Sequence, residues 1–358
     1  SMLSSITKLF SSVPRKLLSE HYRCHPKIIG FCNQKFYNNE LIVLTEDDGR
    51  EKPLVIYKTA KGNHARNNYN QRQIDVILEE VIPEQCANNI KKSVGIISPY
   101  RLQTNKLKEV IGKRDIEVDT VHKYQGREKD VIILTTVVNE VNEFVDNPNL
   151  INVAVSRAVD KLIVIVSDNE KNINSNIGDL VRYIEYNNFE IINSKIYSVF
   201  DLLYHSYSER LLAVMKQKKN VSDYDSENLM NIVIEKVLSS PEFQNLDRVM
   251  HQPLKMLIRD ASKLNEDECR FVKNALAHTD FLIFNKLDKR PILVVEVDGY
   301  AFHVNNPKQL KRDKMKDAIL LKYDIPILRI RTNESGEEAK LRNKLHEILK
   351  LMGNNFHI

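Results

Sequence analysis

Asp280 in His278-Thr-Asp-Phe-Leu-Ile-Phe284 and Glu296 in Glu296-Val-Asp-Gly299 stand at the far ends of two apolar runs. The runs are joined by Leu287-Asp-Lys-Arg290. If they pair as a hairpin, an Asp opening one strand and a Glu closing its partner converge at one end of the sheet. Two carboxylates so placed bind Mg²⁺ or Mn²⁺, which lowers the pKa of a bound water and steadies a leaving phosphate oxygen. A second set of residues is largely cationic. It comprises Arg23 in His21-Tyr-Arg-Cys-His-Pro26, the turn Gln125-Gly-Arg-Glu128, and Arg157 in Asn152-Val-Ala-Val-Ser-Arg-Ala158. The planar fork of arginine matches phosphoryl oxygens, and Gly126 lets backbone come close to a ligand. No Gly-x-x-x-x-Gly-Lys-Ser/Thr loop occurs. The sequence therefore lacks a cradle for β/γ-phosphates and reads as a C-terminal piece of something larger.

These residues need elements to hold them. Residues 54–57, 93–97, 131–134 and 162–166 are β-rich runs without polar alternation, as in parallel strands covered on both faces. Residues 74–81 and 102–111 carry helical periodicity between them, so an α/β domain is expected over residues 3–170. A helical connector is expected over 171–222, with helical segments at 177–184, 199–204 and 210–215. A small α+β domain over 223–353 should follow. It should contain a helix at 227–238, a strand at 248–252, the hairpin, a charged helix at 307–323, a strand at 326–331 and a closing helix at 337–352.

Bulk properties narrow the field. The 358 residues suit two domains, 42% hydrophobic and 28% charged content is ordinary for a globular protein, and net charge +5 is compatible with a polyanionic partner. No apolar stretch approaches the roughly 20 residues that span a bilayer. The four cysteines form no Cys-x-x-Cys pair, which argues against structural zinc and for reduced thiols in a cytoplasmic protein. Ser1-Met2 reads as a cleavage scar.

Four ordered segments (residues 18–37, 94–103, 120–130 and 152–158) together resemble the second RecA-like domain of superfamily 1 helicases. The similarity is nearest to the branch with RNA-surveillance and DNA-replication members. It implies that Arg157 and Arg23 neutralise charge developing on the γ-phosphoryl group, as arginine fingers do. Gln125, Gly126 and Glu128 would lie near nucleotide. Thr120 and His122 would lie on the nucleic-acid backbone, with Tyr100 and Arg101 nearby. Cys24 stands where methionine is more usual. ATP would be bound only together with a first RecA-like domain, which this sequence lacks.

Residues 226–350 resemble the PD-(D/E)xK nucleases, particularly those akin to very-short-patch-repair endonucleases. That resemblance makes Asp280 and Glu296 metal ligands, with Mg²⁺ or Mn²⁺ as cofactor. It makes Glu227 an acid facing the site and Gln252 a polar residue on the preceding strand. Asp298 occupies the position of the usual lysine, and Lys316 or Arg312 on the downstream helix would supply the cation instead. His303 belongs to the same constellation. The implied whole is an ATP-dependent helicase-nuclease acting on DNA rather than RNA. A helicase with a non-catalytic nuclease-like clamp and an RNA-remodelling helicase stay open beside it.

Overall fold

The computed structural model of the protein describes residues 9, 17–47, 49, 52–86, 92–169, 174–217, 221–299 and 307–354. Ser1-Met2 and His303 lie outside them. The chain divides into two compact units. One holds residues 1–58, 81–166 and 170–192, and the other holds 59–80, 167–169 and 193–358.

Along the chain come β1 (Glu20–His21), α1 (Pro26–Phe36), β2 (Ile42–Val43) and β3 (Leu54–Thr59). The short ribbon β4 (Ala65–Arg66) and β5 (Tyr69–Asn70) follows, then α2 (Gln71–Val76). The wider-wound helix Ile77–Cys86 leads to β6 (Val94–Ser98), α3 (Arg101–Ile111), β7 (Ile116–Thr120) and β8 (Lys129–Thr135). Next are α4 (Pro148–Val155), β9 (Ala158–Ser167), α5 (Asn176–Tyr186) and β10 (Glu190–Asn193).

The first unit is built on a six-stranded sheet in the order β10-β3-β9-β8-β6-β7, with β9, β8, β6 and β7 pairing in parallel. The four expected strands are β3, β6, β8 and β9. Alternate residues Leu54 and Ile56, Ile132 and Leu134, and Leu162, Val164 and Val166 point to one face. There they pack on Ile28 and Phe31 of α1, Ile151 and Val155 of α4, and Leu180 and Ile184 of α5. Proline at the first turn, with His25 and Asn147 capping backbone N–H groups, starts α1 and α4. Edge strands β7 and β10 go beyond the sequence reading. Both are half-exposed, short and charged or polar, so the apolar-run signal is weak in them.

The second unit continues with 3₁₀ turns at Val199–Leu203, then α6 (Ser208–Gln217), α7 (Asp225–Leu238), β11 (Leu246–Met250), α8 (Leu254–Leu257) and α9 (Glu266–Lys273). It ends with β12 (Phe281–Asn285), β13 (Pro291–Asp298), α10 (Pro307–Lys322), β14 (Ile327–Arg331) and α11 (Glu337–Asn354). Its sheet runs β11-β12-β13-β14, antiparallel except for the parallel pair β13/β14. Phe281, Ile283, Leu293 and Val295 face α7 and α11 through Met230, Ile234, Leu341 and Leu345. Leu282 and Val294 face the opposite way, toward Ile319 and Leu320 of α10. The expected strand at 248–252 is shifted, because pairing with β12 ends at Met250 and leaves Gln252 beyond it. Among the described residues no helix is long and apolar enough to cross a membrane.

Candidate functional site

The two-residue period of β13 decides where its acids go. Glu296 and Asp298 share the face of Val294, which α10 covers. The register Phe281↔Val295 then sets Asp280, one residue ahead of β12, beside Glu296. The Asp280 N–H donates to Glu296 Oε1 at 3.3 Å, and Val297 N–H donates to Asp280 Oδ2 at 2.8 Å. From α10, Lys316 Nζ donates to Glu296 Oε2 at 2.6 Å. Asp280, Glu296, Lys316 and Glu227 line one cavity of about 380 Å³, with Arg312 at its exposed rim. The expected hairpin convergence therefore forms, and of the two basic residues on α10 it is Lys316 that reaches the acids.

Electrostatics follow from burial. Glu296 is 4% exposed. Loss of solvent, reinforced by Asp280 and opposed by Lys316, pushes its carboxyl up to about 7. Asp280 is also raised, first by burial, with the Val297 hydrogen bond and Lys316 working the other way. Glu227 is held from outside, its Oε2 lying 2.7 Å from His251 Nε2. His251 has a left-handed backbone, φ +49°, uncommon for a residue with a side chain. Gln252 does not line the cavity, and its carbonyl accepts from Thr279 N–H at 3.0 Å.

Asp298 also borders this cavity, but its carboxylate is engaged by Arg329. Its Oδ1 accepts from Arg329 Nη1 at 2.8 Å, and Arg329 Nη2 also donates to Asp317 at 2.7 Å. Burial alone would lower Arg329, yet the pairing with Asp317 and Asp298 holds it above its ordinary value. The sequence reading missed Arg329. The parallel register Glu296↔Arg329 was the signal that could have found it, and it requires knowing that β14 pairs with β13.

Among the described residues, no group of three or more His, Cys, Asp or Glu side chains is arranged to hold a metal ion. The donor set is nonetheless suited to Mg²⁺. That ion is commonly held by one or two carboxylates, with water and substrate phosphate completing its shell. Two adjacent buried carboxyls that resist losing their protons are groups whose ionised forms a divalent cation would favour.

In the first unit the expected residues fall into two groups. Parallel pairing of Ser98 with Thr120 brings Tyr100, Arg101, Thr120 and His122 to the carboxyl ends of β6 and β7. Arg101 and His122 are exposed there, and the Tyr100 ring lies 5.2 Å from that of Phe144. Glu128 and Arg157 instead precede the amino ends of β8 and β9, which pair through Lys129 and Ala158. Arg23 forms an ion pair with Glu128. Arg157 donates from Nε to Val153 O at 3.1 Å, from Nη1 to Arg127 O at 3.3 Å and from Nη2 to Ser156 Oγ at 3.0 Å. Partial burial, and then the charge of Arg23, lowers Arg157 from its ordinary value. Gly126 has φ +86°, the conformation for which glycine is favoured. Gln125 is exposed in the same turn. Cys24 is fully buried and burial pushes its thiol up to about 12, so it packs rather than reacts.

Residues 1–169 match the family model described as an AAA domain, and residues 224–348 match a family described as a protein of unknown function, DUF2726. DNA polymerase alpha-associated DNA helicase A of Saccharomyces cerevisiae is 31% identical over 185 residues, covering 42% of this chain and 27% of that protein. The probable helicase senataxin of Homo sapiens is 28% identical over 178 residues, covering 44% and 7%. The probable RNA helicase armi of Drosophila melanogaster is 28% identical over 182 residues, covering 40% and 15%. The chain thus spans about a quarter or less of the length of these relatives. A solved structure, the C-terminal domain of a possible DNA helicase from Lactobacillus plantarun WCFS1, superposes with a TM-score of 0.29 at 15% identity, covering 41% of this chain and 87% of that one. The matches thus show what the first unit is similar to, with DNA and RNA helicases both among the relatives.

Proposed function

We propose that this chain is part of an ATP-dependent DNA helicase whose second unit hydrolyses phosphodiester bonds with the help of a divalent cation. One observation carries the nuclease reading. Asp280, Glu296 and Lys316 come from a strand start, a neighbouring strand and a helix, and meet in a single cavity. In this reading Lys316, which donates to Glu296 Oε2 at 2.6 Å, takes the part of the lysine that the commoner pattern carries two residues after the glutamate.

In this reading Asp280 and Glu296 hold Mg²⁺ or Mn²⁺, which when bound activates water and neutralises the leaving oxygen. Lys316 keeps Glu296 in place and brings positive charge to the position of the scissile phosphate. Glu227, fixed by His251, faces the same space. In the first unit Arg23 and Arg157 face the γ-phosphate of ATP bound by a preceding RecA-like domain, beside Gln125, Gly126 and Glu128. Tyr100, Arg101, Thr120 and His122 contact the nucleic-acid backbone at the other end of the strands.

The test is incubation of the chain with single- and double-stranded DNA and Mg²⁺ or Mn²⁺. Metal-dependent cleavage lost in Asp280→Asn, Glu296→Gln and Lys316→Ala is expected. Binding without cleavage in every metal condition would instead favour a clamp. The presence of an RNA helicase among the relatives supports RNA as a second substrate reading, which preference for RNA at matched salt would establish.

A further inference from the structure

Residues 59–80 lie in sequence between strands of the first unit but belong to the second. Buried polar contacts hold them there. Arg72, fully buried, donates to both oxygens of Asp201 at 2.9 and 3.0 Å and to Ile196 O at 3.1 Å. His64 Nε2 lies 2.9 Å from Asp201 Oδ1, and Ser335 Oγ donates to Asp75. This anchorage fixes the β4–β5 ribbon. Its register pairs Arg66 with Tyr69, and the turn between them is Asn67-Asn68 with φ +48° and +64°, as a two-residue type I′ turn requires. Directly paired residues project on the same side of a ribbon.

Arg66 and Tyr69 line a second cavity, of about 340 Å³, whose lining also includes exposed Lys314 and Arg331. Asp298, Gly299 and Asp313 line both this cavity and the one holding Asp280, Glu296 and Lys316, so the two spaces adjoin. Three acids of this lining, Asp298, Asp313 and Asp317, would repel a polyanion, and all three lie against Arg329. An arginine and an aromatic ring side by side, with further cations in the same lining, are the equipment for a nucleic-acid strand, phosphate on one group and base on the other.

We propose that the β4–β5 hairpin is the far wall of a nucleic-acid track in which a single strand leaves the carboxylate cavity, Arg66 takes a phosphate and Tyr69 stacks a base. The inference rests on the nuclease reading for the direction of the strand, but not for its binding. It makes an insertion in the motor's sequence a substrate contact of the other unit.

The test uses the full chain carrying Glu296→Gln, so that bound DNA is not cut, and a fluorescein-labelled single-stranded oligonucleotide titrated at several salt concentrations. Arg66→Ala should weaken binding and reduce the salt slope by about 0.7, the loss of one phosphate contact. Tyr69→Ala should weaken binding about 5- to 150-fold with the slope unchanged. Arg66→Lys should restore the slope, which a merely structural role for Arg66 would not explain. Unaltered affinity and slope in both alanine variants overturns the track. Cleavage by the unsubstituted chain is scored separately. If it fails while the alanine variants lose binding, the track stands and the hydrolytic reading falls. If it succeeds while they bind normally, the reverse holds.

Discussion

The arginine cluster of the first unit and the carboxylate cluster of the second solve opposite electrostatic problems. Arg23 and Glu128 meet at the surface, with side chains 38% and 53% exposed, and Arg157 is tied to carbonyls of its own neighbourhood. Water screens such a pair, and its gain is small. Asp280 and Glu296 sit largely out of water, propped by backbone N–H groups and one lysine. Desolvation there makes each charge expensive and each partner decisive. An open cluster of this kind can change partners when another surface arrives. An enclosed one is set by its own fold.

Several substitutions sharpen or break that contrast. The largest effect belongs to Arg157, in a protein that carries a phosphate-loop domain ahead of this sequence. Arg157→Ala should lower ATP turnover by about 10³- to 10⁵-fold in steady-state assays, far beyond what the modest fall in thermal melt from its three lost hydrogen bonds would explain. The chain alone should show no appreciable ATP hydrolysis, and robust turnover by it would contradict the account of Arg157.

Next is Asp201→Asn, which removes the charge facing buried Arg72 and His64. Stranding a buried arginine costs on the order of 3–5 kcal/mol, seen as a lowered denaturation midpoint for residues of the second unit. A loss below 1 kcal/mol would mean that Arg72 finds water or another acceptor.

Glu296→Gln gives a smaller, pH-dependent change. A carboxyl raised in the folded protein binds its proton more tightly there than in the unfolded chain. Stability therefore falls as pH rises from 4.5, the ordinary value of a glutamate carboxyl, toward about 7, and the cost is fully present above that. The variant lacks this slope. Measured without divalent metal, it should gain relative to the parent by on the order of 2–3 kcal/mol between pH 4 and pH 8. Parallel stability curves for the two would refute the burial argument. Smallest is Glu128→Ala, expected to change stability by less than about 1 kcal/mol, because its pair with Arg23 is exposed.

The sequence was most informative where a single pattern determined both element and partner. The unbroken apolar runs became β3, β6, β8 and β9 because only a doubly covered strand tolerates them. Asp280 and Glu296 could be brought together from sequence because strand period and hairpin closure leave little freedom. Lys316 remained one of two choices, since which helix residue reaches a sheet depends on the phase of α10, and Arg312 turned out to lie on the rim. Arg329 and the Arg66–Tyr69 ribbon were not legible at all. Each depends on contacts across long stretches of chain, β14 beside β13 and residues 59–80 against 193–358, which no local spacing encodes. The separation of the residues expected to face nucleotide from those expected to face nucleic acid, at opposite ends of the parallel strands, likewise emerged only from strand register.

The most direct measurement is cleavage of labelled DNA by the chain, with Mg²⁺ or Mn²⁺ added and then removed by chelator, comparing the parent with Glu296→Gln and Lys316→Ala. The account predicts cutting that needs the metal and is lost in both variants while oligonucleotide binding persists. Cutting that survives both substitutions, or no cutting by a parent that binds DNA and either metal, would contradict it.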